Sequence, residues 1–115
     1  MSKPVNVQIA ERARAFIEDK RHWCPGDLGR DAFGNSVSPI DSCAEQRCAL
    51  GALVAAAFEF TGDSRLAYHL ATTSMRPLIG ATSLAHINDE EGHAAVVALF
   101  DIAIGRYESR RFDAI

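Results

Sequence analysis

Residues Cys48 to Phe58, CALGALVAAAF, decide how this chain folds. No charged side chain interrupts the run, and most of its positions hold alanine or another small or aliphatic residue. A helix that is apolar on every side belongs inside its domain, covered by neighbours all round. Ala49, Gly51, Ala52, Ala55 and Ala56 let those neighbours come close, and Phe58 and Phe60 add bulk at the end. The run is too short and alanine-rich to span a bilayer, which takes about 20 predominantly apolar residues. Just upstream, Ser42-Cys43-Ala44-Glu45 matches a capping box, in which Ser accepts from a first-turn amide and Glu reaches back. The pattern predicts a central helix capped at Ser42 and stopped by Gly62.

Outward from it lie the helices that should cover it. Residues 6 to 20 place Ile9, Ala10, Ala13, Phe16 and Ile17 at helical spacing, opposite Glu11, Arg12, Arg14, Glu18 and Asp19. Asn6 is the candidate N-cap. Beyond Gly62, Asp63 or Ser64 caps a third helix with Leu66, Ala67, Leu70 and Ala71 on one face, and Pro77 and Gly80 close it. Residues 78 to 87 read as a turn or a short helix. Asn88-Asp89-Glu90-Glu91 supplies an Asn cap and first-turn acids suited to a helix dipole. Val96, Val97, Phe100, Ala103, Ile104 and Tyr107 then form the apolar seam of the last helix.

Between the first and central helices sits WCPGDLGRDAFGN, Trp23 to Asn35. Its Pro and Gly residues end any helix, and Gly34-Asn35 is a reverse-turn dipeptide. Ser36-Val37-Ser38 can pair back onto Leu28 to Asp31 as a small hairpin. The expected fold is mainly α, with about four helices packed around a central small-residue helix and one short β-hairpin or ordered loop. A chain of 115 residues, 48% hydrophobic and 23% charged, fits a single globular helical domain over 1–115. Residues 1–5 and 109–115 are its ends open to fraying.

A net charge of −3 argues against a general nucleic-acid or anionic-membrane binder. Arg106, Arg110 and Arg111 are diluted by Glu108 and Asp113 and suit the end of a helix. The N-terminus has no apolar core of a secretory signal. Three cysteines, an odd number, fit a reducing compartment better than a disulfide framework. The expectation is a cytoplasmic protein.

The glycine-rich stretch excludes several chemistries by spacing. A redox dithiol needs a second cysteine at position 27, where Asp27 stands. Asp27, Asp31 and Asn35 are spaced by four, unlike the alternate oxygen ligands of an EF-hand. Gly26, Gly29 and Gly34 match neither common phosphate loop. For nucleophilic catalysis the candidates are Cys24 and Cys43 with His86 and His93. Cys43 follows Ser42, where a helix N-terminus would lower a thiol pKa, whereas Cys48 reads as a core residue. Triads are defined by geometry, so none of these is assigned as catalytic. His22, Cys24, Asp89 and His93 could form a mixed zinc site, but they lack the paired spacing that zinc sites show. No metal or cofactor is expected. Trp23, Pro25, Leu28 and Phe33 put apolar groups on a loop, either folded back onto the core, with Trp23 as anchor, or exposed for recognition.

These pieces together have a likeness. The residues are Trp23, Cys24 and Gly26 in one turn, Asp31 and Gly34 in a second, Cys48-Ala49 with Gly51-Ala52-Leu53, and Asn88-Asp89. From about Arg14 to Ile104 the chain resembles a domain-of-unknown-function family of small uncharacterised bacterial and phage proteins. It departs at Arg47 and Ile87, where members often carry aromatic residues. The resemblance brings no reaction. It implies that the two turns and the Asn88-Asp89 segment converge, placing Trp23, Cys24, Asp31, Asn88 and Asp89 around one binding cleft. The expected function is a non-enzymatic accessory or protein-interaction module, with an unknown protein partner or a homodimer. A small cysteine-dependent hydrolase or transferase is the alternative.

Overall fold

A computed structural model describes residues 3–74 and 84–113, with side chains in the last helix followed as far as residue 105. The fold is mainly α with one short hairpin. Helix α1 spans Val5–Ile17 and a 3-10 turn covers Lys20–His22. Strands β1, Gly29–Arg30, and β2, Gln46–Arg47, lead to α2, Ala49–Thr61. Helix α3, Ser64–His69, widens into a π-turn at Leu70–Ser74. Helix α4, Leu84–His86, does the same at Ile87–Glu91, and α5 covers His93–Asp113.

Helix α2 is the centre, as its apolar sequence requires. Ala49, Ala52, Leu53, Val54, Ala56 and Ala57 are wholly buried, and α1, α3 and α4 pack against it. The apolar face of α1 contributes Val7, Ile9, Ala10, Ala13 and Ile17, while α5 adds Val96, Phe100 and Ala103. Except for Val7 and Ala103, these residues belong to one contiguous cluster, the main stabilising term at roughly 25 cal/mol per Å² of buried apolar surface. Among the described residues, no helix is long and apolar enough to cross a membrane.

Several expected boundaries shift, each for a local reason. The central helix is not capped at Ser42. Ser42 and Cys43 lie in a turn closed by the Asp41 carboxylate, which accepts the Cys43 amide at 3.0 Å. Residues 45 to 47 stay extended because β1 claims them, with Glu45 N–H donating to the Arg30 carbonyl at 2.8 Å. Strand pairing thus overrides the capping-box match. The helix starts after Cys48, whose sulfur accepts the Gly51 amide at 3.3 Å. Pro4, not Asn6, precedes α1, and its carbonyl takes the Val7 and Gln8 amides. The helix then ends at Ile17 rather than residue 20, because Asp19 turns extended and accepts the Arg21 amide. Leu66 faces outward at 44% exposure, while its neighbour Ala67 is buried.

Gly62 and Asp63 stop and restart the chain as expected, with Asp63 accepting the Leu66 amide. The expected hairpin is present in part. Val37 N–H donates to the Gly29 carbonyl, and Arg30 bridges Ser36. The stronger pairing is antiparallel to β2, Gly29 opposite Arg47 and Arg30 opposite Gln46. β1 therefore sits between the 36–37 segment and β2. The expectations for Pro77, Gly80 and residues 78–83, and for the side chains of Arg106, Tyr107, Glu108, Arg110, Arg111 and Asp113, lie outside the described residues.

Candidate functional site

Asn88 is the only buried polar side chain among the described core residues, at 1% exposure. The sequence suggests a helix cap there, but the structure gives it another role. It lies in the π-turn at Ile87–Glu91, and α5 begins only after Gly92. Every hydrogen-bonding position of its amide is filled. The oxygen accepts the Trp23 indole N–H at 2.6 Å and the Ala49 amide at 2.9 Å. The nitrogen donates to the Cys24 carbonyl at 3.2 Å and to the Asp89 carboxylate at 3.0 Å. One side chain thereby joins the tryptophan turn, the first turn of α2 and the segment before α5. A buried amide with all partners supplied fixes one geometry, because losing any partner leaves a costly unpaired group.

Asp89 continues the network outward. The same carboxylate oxygen accepts the Gly26 amide at 2.9 Å. Gly26 presents that amide with φ of 80°, a conformation that a side chain would disfavour. These two donors hold the Asp89 carboxyl below its ordinary range, the Asn88 amide having the larger effect. On the other flank the Trp23 ring meets His93, with ring centroids 5.6 Å apart and tilted by 59°. His93 is tied down in turn, its Nε2–H donating to the Ile17 carbonyl at 2.6 Å.

The backbone comes unusually close on the far side. A Cβ added to Gly51 would lie 1.9 Å from the Leu28 carbonyl oxygen. This contact seats the turn directly on the first turn of α2 and explains glycine inside an otherwise apolar helix. Next to it, Gly26, Leu28, Cys48, Leu50, Ala85 and Asp89 surround a cleft of about 140 Å³.

The expected convergence is therefore present for Trp23, Cys24, Asn88 and Asp89, which share one hydrogen-bonded cluster. Asp31 stands apart. Its carboxylate folds back on its own turn, accepting the Phe33 and Asn35 amides at 2.9 Å each. Those amides hold the Asp31 carboxyl below its ordinary range, the Asn35 contribution being the largest.

The thiols are placed for structure. Cys24 is buried and its S–H points at the Asp27 carbonyl, 3.5 Å away. Burial pushes its pKa up to about 11, more than the nearby Arg30 charge can offset. Cys48 is raised for the same reason. Cys43 is exposed but sits in no helix N-terminus. Its S–H donates to Asp41 at 2.8 Å, and that carboxylate raises the thiol pKa instead of lowering it. The sulfurs' hydrogen-bond partners are all backbone groups or Asp41, and His86 lies exposed on α4. Among the described residues, no three His, Cys, Asp or Glu side chains are grouped to hold a metal ion.

Residues 1–106 match the DUF6197 family, a family of unknown function. The chain belongs to this family. No curated protein and no solved structure matches it. In this DUF6197 protein the clustered residues form a clasp that joins three chain segments through hydrogen bonds. Two signals escaped the sequence reading. Cys48 is a helix cap, and Arg47 enters the structure beside Phe16 at 4.6 Å from the ring centroid.

Proposed function

We propose that this is a non-enzymatic protein-interaction or accessory module, a single cytoplasmic domain of bacterial or phage origin. Its contact point is Phe33, and its partner is another protein or a second copy of the chain. The observation that carries this is the 89% exposure of Phe33, the greatest among the exposed large hydrophobic side chains of the described residues. The ring stands on a turn that is fixed beforehand. Asp31 N–H donates to the Asn35 carbonyl, Gly34 N–H to the Asp31 carbonyl, and the Asp31 carboxylate accepts two further amides. A preordered aromatic loses little conformational freedom on docking, and burying one contributes roughly 1.5–3 kcal/mol. The folded-back Trp23 cannot fill this role, since its indole N–H is spent on Asn88.

A cysteine-dependent hydrolase or transferase draws no support from thiols whose pKa values are all raised. The test is a photo-crosslinking residue at position 33, expressed in the native host, beside sedimentation of wild type and Phe33→Ser. A discrete crosslinked species, or a dimer that Phe33→Ser dissociates, supports the reading. A monomer that crosslinks no more from position 33 than from exposed Glu18 overturns it.

A further inference from the structure

Arg12 and Arg47 share one phenyl ring. The guanidinium carbon of Arg12 lies 4.2 Å from the Phe16 ring centroid, and that of Arg47 lies 4.6 Å from it. Arg12 and Phe16 are one turn apart on α1, whereas Arg47 arrives from β2. Two like charges are thus held as neighbours. Burial lowers the Arg47 pKa most and the Arg12 charge adds to it, while Glu59 and Glu45 act against both.

Their protein partners leave most of the donors unused. Arg12 gives only its Nε–H, shared between the two Glu59 oxygens at 2.8 and 3.1 Å. Arg47 is partly buried and gives only its Nε–H, to the Pro39 carbonyl at 2.7 Å. Neither guanidinium bonds a described residue through its terminal nitrogens, and Arg47 forms no ion pair among the described residues. A guanidinium partly withdrawn from water with no carboxylate in direct contact is costly, and Glu59 and Glu45 offset that cost only from a distance. Beside both arginines lies a pocket of about 290 Å³, bounded also by Phe16, His22 and Glu45. His22 is fixed at the rim by its Nδ1–H, which donates to the Glu45 carbonyl at 3.1 Å.

We propose that this pocket binds a phosphate group, free or as the monoester of a small metabolite, between the terminal nitrogens of Arg12 and Arg47. Guanidinium forks match phosphate oxygens in pairs, and a dianion would bond the terminal N–H groups of both arginines at once while Arg12 keeps its Nε–H on Glu59. The volume lies at the low end for small-molecule sites, enough for a phosphate with a short stem. The side chain of Glu45 opposes the anion, so Glu45→Gln strengthens binding. The site is independent of the Phe33 surface.

Amide and arginine side-chain NMR signals of the full chain, followed during titration with inorganic phosphate or glycerol phosphate at constant ionic strength, test it. Saturable shifts of Arg12, Phe16 and Arg47 are expected. Arg12→Gln and Arg47→Gln each weaken binding about tenfold or more, the equivalent of one charge-assisted hydrogen-bonded contact. Arg14→Gln, on the same helix but paired with Asp101, leaves it unchanged. Arg12 is exposed, so its variant stays folded even if the Arg47 variant does not, and thermal melts verify this. Tighter binding of glycerol phosphate than of phosphate assigns a monoester, and equal binding assigns the free ion. Shifts that never saturate, or that persist unchanged in Arg12→Gln, overturn the proposal.

Discussion

Asn88 accepts the indole N–H of Trp23 at 2.6 Å across 65 residues of chain, and the same oxygen takes the first amide of α2. A contact of such sequence separation closes a long loop, so its strength decides whether the turn stays on the helix. Replacing Asn88 by Ala strands a buried Ala49 amide and the Trp23 indole N–H. Each unsatisfied donor costs about 1–3 kcal/mol. Asn88→Ala should therefore lower the unfolding free energy by about 2–4 kcal/mol in urea titrations. Asn88→Asp should not rescue it, because a carboxylate cannot donate to the Cys24 carbonyl and would repel Asp89.

Glycine to alanine substitution should have opposite signs at two helical positions. Gly51 has the Leu28 carbonyl where its Cβ would go, 1.9 Å away, and backbone must move to make room. Gly105, on α5, has nothing within 4 Å. Alanine favours a helix interior over glycine by about 1 kcal/mol. Gly105→Ala should raise stability by up to that amount. Gly51→Ala should lose about 1–3 kcal/mol by overpacking, despite the same propensity gain. Denaturant midpoints of the two variants check this directly.

The helices were legible because burial alone dictates their pattern. CALGALVAAAF could only be a covered helix, and Gly62-Asp63 carries its stop and start in local chemistry. The capping-box match at Ser42 misled because Glu45 and Gln46 are claimed by β1, a pairing set by distant residues. Family likeness puts Asn88 near Trp23, Cys24 and Asp89, and also near Asp31, which the structure holds apart, while local sequence makes Asn88 a cap. A cap and a buried hub use the same amide, and only tertiary contacts distinguish them. The Arg12–Phe16–Arg47 cluster is invisible for the same reason, since Arg47 lies 35 residues beyond Arg12 and 31 beyond Phe16 and meets them only once β2 docks on α1.

Thiol labelling should follow burial and the Asp41 contact. Cys43 is exposed and reacts first, but more slowly at neutral pH than a free thiol, because Asp41 disfavours its thiolate. Asp41→Asn removes that charge and should speed Cys43 alkylation several-fold. Cys24, with its pKa near 11, and Cys48 should label only on unfolding. Rates against pH, resolved by mass spectrometry, would expose the opposite: a Cys24 that reacts rapidly in the folded protein.

Acid should loosen the clasp through Asp89. Its folded pKa lies below the ordinary value of 3.8, chiefly because the Asn88 amide and the Gly26 N–H bond its charged form. A depressed folded pKa contributes stability that is fully present above the unfolded value. That contribution is lost as pH falls through the folded one. From about pH 4 downward, wild type should lose stability more steeply than Asp89→Asn, whose amide does not titrate. At pH 7 the wild type is the more stable, since the variant has lost the charged hydrogen bonds. Asp31 and Asp41 are lowered as well and keep their share of acid sensitivity in both proteins. Urea midpoints at pH 7, 4 and 3 should therefore converge for the two proteins as pH falls, and a gap that stays constant would remove Asp89 from the linkage.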